Sequence, residues 1–164
     1  MGGWVRSFSD WPPVIQQIIS HDNGGYDRSL GIDWRGGGTG WSAFCGEGGV
    51  LGAVPNIVSQ WTFVAVVYDQ NAQTVRLQVD DMVLTKTGVT LGSGENQLFI
   101  DANPIFSEIF EGAVDNVFVF GDALTDHQLA YIRHGGSQAI LTAKSKSVAA
   151  IIELLLGNGG INIE

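Results

Sequence analysis

The chain has 164 residues, a formal net charge of −9 and one cysteine, Cys45. Eight Lys and Arg against 17 Asp and Glu, with no basic run, exclude a nucleic-acid partner, which is held through clustered cations. A lone cysteine excludes an intrachain disulfide and a cysteine-based zinc site, and no stretch reaches the ~18 apolar residues of a membrane span.

The length is that of one domain able to bury a core. The 23 glycines cluster at Gly36–Gly38, Gly48–Gly49 and Gly135–Gly136, between short apolar runs. That pattern marks many turns and an all-β fold. The first twenty residues lack a basic start followed by an apolar run of about 7–15 residues, so no signal peptide is expected in this chain.

In chain order, Val14 to Ser20 reads as a strand and "HDNGGYD" (21–27) as a turn. "RSLGIDW" (28–34) alternates, with Leu30 and Ile32 on one face and Ser29, Gly31 and Asp33 on the other. "RGGGTG" (35–40) is a hairpin turn, lacking the Lys and the helix of a phosphate loop. "WSAFCG" (41–46) is another strand. Thr62 to Tyr68 is apolar on both faces, the mark of a central strand covered on both sides. "DQNAQ" (69–73) turns into Val75, Leu77 and Val79, which alternate with Arg76 and Gln78. Asp80-Asp81 forms a tight turn into "MVLTKT" (82–87). Such a turn favours positive φ, with Asp81 standing where Gly would be easiest.

"NQLFID" (96–101) and "EGAVDNVFVFG" (111–121) are two further strands. On strict alternation Asp115 shares a face with Val117 and Val119 and is partly buried. A short helix follows near 125–134, with Thr125 as N-cap, Gln128 in the capping-box position and Gly135 at its end. In the tail, residues 139–143 are strand-like. Residues 147–156 read as a helix that is apolar almost all round and must be buried against something.

Taken together, these residues resemble the laminin-G-like, or concanavalin A-like, jelly-roll domains. One motif is Trp61, Val64, Ala65, Tyr68 and Asp69, followed by Val75, Leu77, Val79 and Asp80. A second is Gly112, Val114, Asp115, Val117, Val119 and Phe120, followed by Ala123, Leu124, Thr125 and Leu129. The resemblance covers roughly residues 4–136. It implies an antiparallel jelly-roll β-sandwich, an extracellular setting and a further strand ahead of "WVR" (4–6) that is missing here. The tail, 137–164, has no counterpart in the family. It would cover apolar surface on its own domain or on a neighbouring chain, which makes a homo-oligomer a candidate.

Three function classes follow from the resemblance. The first is a non-catalytic module for a carbohydrate or protein ligand, assisted by calcium. The second is a glycoside hydrolase of the laminarinase type. The third is a structural or oligomerising domain without ligand. The hydrolase needs two carboxylates flanking the scissile bond; the nearest text is Glu108, Glu111 and Asp115, whose plainer reading is loop and edge carboxylates. His21, His127 and His134 are far apart and suggest no catalytic set.

Calcium needs about 6–8 oxygen ligands. Asp22 and Asn23 follow a strand directly, and Asp101 and Asn103 occupy another turn. Pentraxin-like relatives place a similar Asp-Asn pair, so the resemblance carries a metal role to Asp22 and Asn23 and, more remotely, to Asp101. The plainer reading is that Asp and Asn are turn residues bonding their own backbone. For sugar stacking, Tyr26, Trp34 and Trp41 are the candidate platforms among aromatics near turns, with core packing as the alternative. No catalytic residue is assigned.

Overall fold

The computed structural model describes residues 1–9, 15–22, 28–92 and 97–136. In chain order the strands are β1 (Gly2–Ser7), β2 (Gln16–His21), β3 (Arg28–Asp33), β4 (Gly40–Cys45), β5 (Val50–Val54), β6 (Thr62–Asp69), β7 (Thr74–Val79), β8 (Met82–Thr87), β9 (Phe99–Ile100), β10 (Ala102–Asn103), β11 (Glu108–Ile109) and β12 (Gly112–Phe118). Helix α1 (Asp126–Gly135) follows. The chain divides into two compact units, Met1–Leu124 and Thr125–Glu164. All the described strands lie in the first.

The strands form two sheets. The first is antiparallel, in the order β12-β1-β6-β7-β8. The second has seven strands, in the order β10-β11-β2-β3-β4-β5, with β9 also paired to β2. Among the described residues its single parallel contact joins β11 to β2, Ile109 opposite Gln17. The expected all-β sandwich is therefore the observed fold. Its core joins Val5, Val64, Val66, Val75, Leu77 and Val79 of the first sheet to Ile18, Ile19, Leu30, Ile32, Trp41 and Ala43 of the second. Each such aliphatic side chain contributes about 1.5–3 kcal/mol through burial.

β6 is buried on both faces from Thr62 to Val67, as its composition predicts. Val64 and Val66 enter the core between the sheets. On the far face, Phe63 stacks on Phe118 at 6.1 Å and meets Trp4 edge-on at 5.7 Å. Tyr68, at the end of the strand, joins the sheets by hydrogen bonding. Its hydroxyl donates toward the Ser29 carbonyl at 3.1 Å and the Phe44 carbonyl at 2.9 Å. Burial pushes this phenol well above its ordinary pKa, so it remains a donor. Tyr68→Phe is expected to lower stability by about 1 kcal/mol in urea denaturation, the usual worth of such a bond.

The tight turn between β7 and β8 places its positive φ at Asp80 (48°), not at Asp81. Asp tolerates this conformation better than most residues. The Asp80 carboxylate also accepts the Phe63 N–H at 3.0 Å, and its own N–H donates to the Phe63 carbonyl at 2.8 Å. The turn is thus tied back to the start of β6.

Three sequence expectations need correction. Of the strand expected over 96–101, the described residues 97–101 hold only Phe99–Ile100; Asp101 takes φ 69° and ends it. Asp115 is exposed rather than partly buried. Opposite β1, Gly2 pairs with Phe118 but Trp4 pairs with Asp115, so β12 carries an extra residue. That bulge, with Asn116 at φ 49°, puts Asp115 and Val117 on different faces. Helix α1 has the expected capping box between Thr125 and Gln128, and Leu129 and Ile132 are buried, but its C-cap is Gly136, one residue later than expected. Val14 and residues 139–143 and 147–156 lie outside the described residues.

Candidate functional site

A second bulge builds the site. In β2, Gln17 pairs with Gly31 and Ile19 with Leu30, so Ile18 is the extra residue. Both isoleucines enter the core. The bulge resets the alternation, which sends Gln17, Ser20 and Asp22 to the opposite, outer face. Leu30 and Ile32 point inward with their partners Ala43 and Trp41. Ser29, Gly31, Asp33, Ser42 and Phe44 therefore share the outer face.

This outer face is polar, yet it is buried. Ser20, Ser29, Asp33 and Ser42 are all at most 4% exposed, and Asn103 of β10 is 1% exposed. A cleft of about 90 Å³ opens here, lined by Asp22, Ser29, Arg35, Phe44, Phe106 and Glu108. Asn103 Nδ2 donates to Asp22 Oδ2 at 3.0 Å and to Glu108 Oε2 at 3.0 Å. One amide thus holds two carboxylates close together. Asn103 Oδ1 is buried without a partner, as is Gln17 Oε1. Buried polar atoms are normally satisfied, so two orphan acceptors on one face suit a ligand that brings donors or positive charge.

Arg35 closes the other side. Its Nε and Nη2 fork onto Asp33, with Nη2 2.6 Å from Oδ2, and its backbone N–H donates to Asp33 Oδ1 at 2.7 Å. The hydrogen bond to Asp33 raises the Arg35 pKa. The guanidinium also lies 5.3 Å from the centre of the Phe44 ring, a cation–π arrangement.

Burial pushes the Glu108 carboxyl above its ordinary 4.5, against the opposing pull of the Asn103 hydrogen bond and Arg35. A carboxyl whose folded pKa is raised binds its proton more tightly in the folded state. Its ionisation then removes stability as pH rises from 4.5 through the raised value. In chelator, Glu108→Gln is expected to flatten that part of the stability–pH curve, read as urea midpoints; an unchanged slope would contradict it.

A family model described as the concanavalin A-like lectin/glucanases superfamily matches residues 3–130. The chain belongs to this superfamily. No curated protein and no solved structure matches it. The jelly-roll architecture inferred from the motifs is thus the family fold, and the polar cleft is a feature of this superfamily member.

The sequence-derived site residues separate clearly. Asp22 is in the cleft. Asn23 and Tyr26 lie outside the described residues. Asp101 is exposed and acts through its backbone, its N–H donating to Ile18 O at 2.7 Å and its carbonyl accepting from Phe110 at 3.1 Å. Asn103, two residues on, reaches Asp22 instead. Glu108 joins the cluster, whereas Glu111 and Asp115 are exposed. Trp34 is 55% exposed at the end of β3 and keeps a free face for stacking. Trp41 is fully buried against the Phe110 ring, 6.2 Å away, so it has no face to offer a sugar. Sequence reasoning missed Asp33, Arg35, Phe44 and Phe106. Only the acid–base spacing of Asp33 and Arg35 at a strand end could have signalled them. Among the described residues no three His, Cys, Asp or Glu side chains gather as a metal site; any cation would need the Asn103 amide as a ligand.

Proposed function

We propose that this domain is a non-catalytic recognition module for carbohydrate in an extracellular setting, and that its ligand enters the polar cleft on the outer face of the seven-stranded sheet. The observation that carries this reading is the Asp22–Asn103–Glu108 cluster with its orphaned Asn103 Oδ1. The carboxylates, Arg35 and Ser29 offer hydrogen bonds to sugar hydroxyls, while Phe44 and Phe106 offer apolar faces.

Calcium fits the same cluster. The Asn103 amino group now does what a cation would do between two carboxylates. Turning the amide over would direct Oδ1 toward an ion held by Asp22 and Glu108, satisfying the orphan acceptor. The bound ion would supply positive charge for sugar oxygens. Calcium at about 100 times its Kd is expected to stabilise the protein by about 2.7 kcal/mol, and Asp22→Asn should abolish that gain in thermal denaturation.

The hydrolase reading draws on Glu108. A carboxyl whose pKa burial raises, beside a second carboxylate, is the kind of pairing glycoside hydrolysis uses. Glycan-array screening with and without calcium, followed by product analysis of any captured glycan, separates the readings. Capture without turnover that is lost in Asp22→Asn and Glu108→Gln is the expected result. Turnover would favour the hydrolase. Capture indifferent to both substitutions would remove the cleft from function.

A further inference from the structure

We propose that the outer face of the first sheet carries a second ligand site, built by Arg6, Phe8 and Trp61, that takes the carboxylate of an acidic sugar: a single hexuronate unit on an otherwise neutral glycan. It rests on the reading of this domain as a carbohydrate module, but it lies apart from the Asp22 cleft, on the other sheet.

Alternation along β1 sends Val5 into the core and Trp4 and Arg6 to the outer face. The Arg6 guanidinium lies 5.2 Å from the centre of the Phe8 ring and 5.1 Å from that of the Trp61 ring, so aromatic rings flank it on two sides. Both rings stay open to solvent, Phe8 at 55% and Trp61 at 40% exposure. The backbone fixes their places. The Phe8 N–H donates to the Glu111 carbonyl at 2.9 Å, and the Ser59 N–H, in the segment leading to Trp61, donates to the Ser7 carbonyl at 2.8 Å.

The guanidinium is short of acceptors. Its Nε is buried without a partner, and among the described residues no hydrogen bond or ion pair holds Arg6. In a chain with 17 acidic and eight basic residues, a cation without a carboxylate is conspicuous. With Nε enclosed, the Nη1–Nη2 edge is the one that meets a ligand. That edge matches a carboxylate end-on, through two parallel hydrogen bonds. The surroundings select the rest of the ligand. One guanidinium balances one carboxylate, whereas a phosphate or a run of acidic groups would bring more negative charge to a chain already at −9. β1 is paired on both sides, with β12 and β6, so a peptide finds no free strand edge beside Arg6, and acidic peptide motifs are read by clusters of arginines. A hexuronate needs neither. Its ring presents C–H groups that pack on aromatic side chains, while its carboxylate projects from the ring edge toward the guanidinium.

The test is an NMR titration of the full chain with methyl β-glucuronoside, compared with methyl β-glucoside, acetate and the acetylated, amidated tripeptide Ala-Glu-Ala. Saturable shifts of the Trp61 indole N–H and the Phe8 amide are expected with the glucuronoside at a Kd of about 1 mM, an ordinary affinity for so small a ligand. The glucoside, acetate and the tripeptide should each bind about tenfold more weakly, because each lacks either the charge or the ring. Arg6→Gln should erase the preference for glucuronoside over glucoside, and Arg6→Lys should restore part of it by returning the charge without the fork. The ligand comparison uses the unmodified chain, so it decides the matter even where Arg6→Gln does not fold. Equal binding of the glucoside, acetate or the tripeptide overturns the proposal, as does the absence of a saturable shift up to about 20 mM. Shifts confined to Asp22, Ser29 and Asn103 would also overturn it, while leaving the polar cleft standing as a glycan site. Shifts at Arg6, Phe8 and Trp61 with the cleft silent would support it and count against the cleft.

Discussion

Gly31→Ala is expected to destabilise the fold by about 3 kcal/mol, at the upper end of overpacking effects. A Cβ at this position would stand 1.9 Å from the Gln16 carbonyl oxygen, 2.9 Å from its carbonyl carbon and 2.7 Å from Gln17 Oε1. The first two atoms are backbone, so a rotamer change cannot relieve the overlap. β2 must move away from β3, and the pairing of Gln17 with Gly31 must open. Gly37→Ala is the informative control. Its Cβ would meet nothing within 4 Å, but Gly37 has φ 96°, so the expected loss is only the conformational one, about 1–2 kcal/mol. Urea midpoints at constant slope would measure both. Equal losses at the two positions would mean that β2 and β3 can separate cheaply. The same displacement would carry the Asp22–Asn103–Glu108 cluster away from Ser29 and Arg35 across the cleft, so Gly31→Ala should also weaken any glycan capture.

Much of the sandwich was legible because a strand covered on one face writes its period into the sequence. Leu30 and Ile32 in β3, and Val75, Leu77 and Val79 in β7, alternate without interruption, and their burial follows. The doubly apolar β6 announced a central strand by the same logic. The two bulges were not legible. Each adds one residue with no compositional mark, and each exchanges the faces beyond it. At Ile18 the exchange brings Asp22 to the polar face; at Asn116 it separates Asp115 from Val117. The site was legible only in pieces. Asp22, Asn103 and Glu108 were each conspicuous, but Asn103 lies 81 residues from Asp22. No local spacing states that β10 and β11 fold back along β2. The pairing of Ile109 with Gln17 and the hydrogen bond from Ser20 Oγ to Ala102 O at 2.7 Å create that proximity.

Trp41→Ala is expected to cost about 3–5 kcal/mol, the range for emptying a buried aromatic site. Trp41 is fully buried and belongs to the core shared by both sheets. Opposite it stands Ile32, and the Phe110 ring lies beside it. Deleting the indole leaves these groups around a cavity that paired strands cannot readily close. Trp41→Phe should lose less than Trp41→Ala: it keeps an aromatic ring and removes an indole N–H that is buried without a partner. Trp34→Ala gives the contrasting case. At 55% exposure its loss should change stability by less than about 0.5 kcal/mol, while weakening glycan capture if its free face stacks on sugar. Thermal denaturation and glycan binding measured on the three variants therefore assign the two tryptophans separately. Trp41→Ala that remains as stable as wild type but loses capture would reverse the assignment, because a residue that supports the core cannot be removed without the sheets registering its absence.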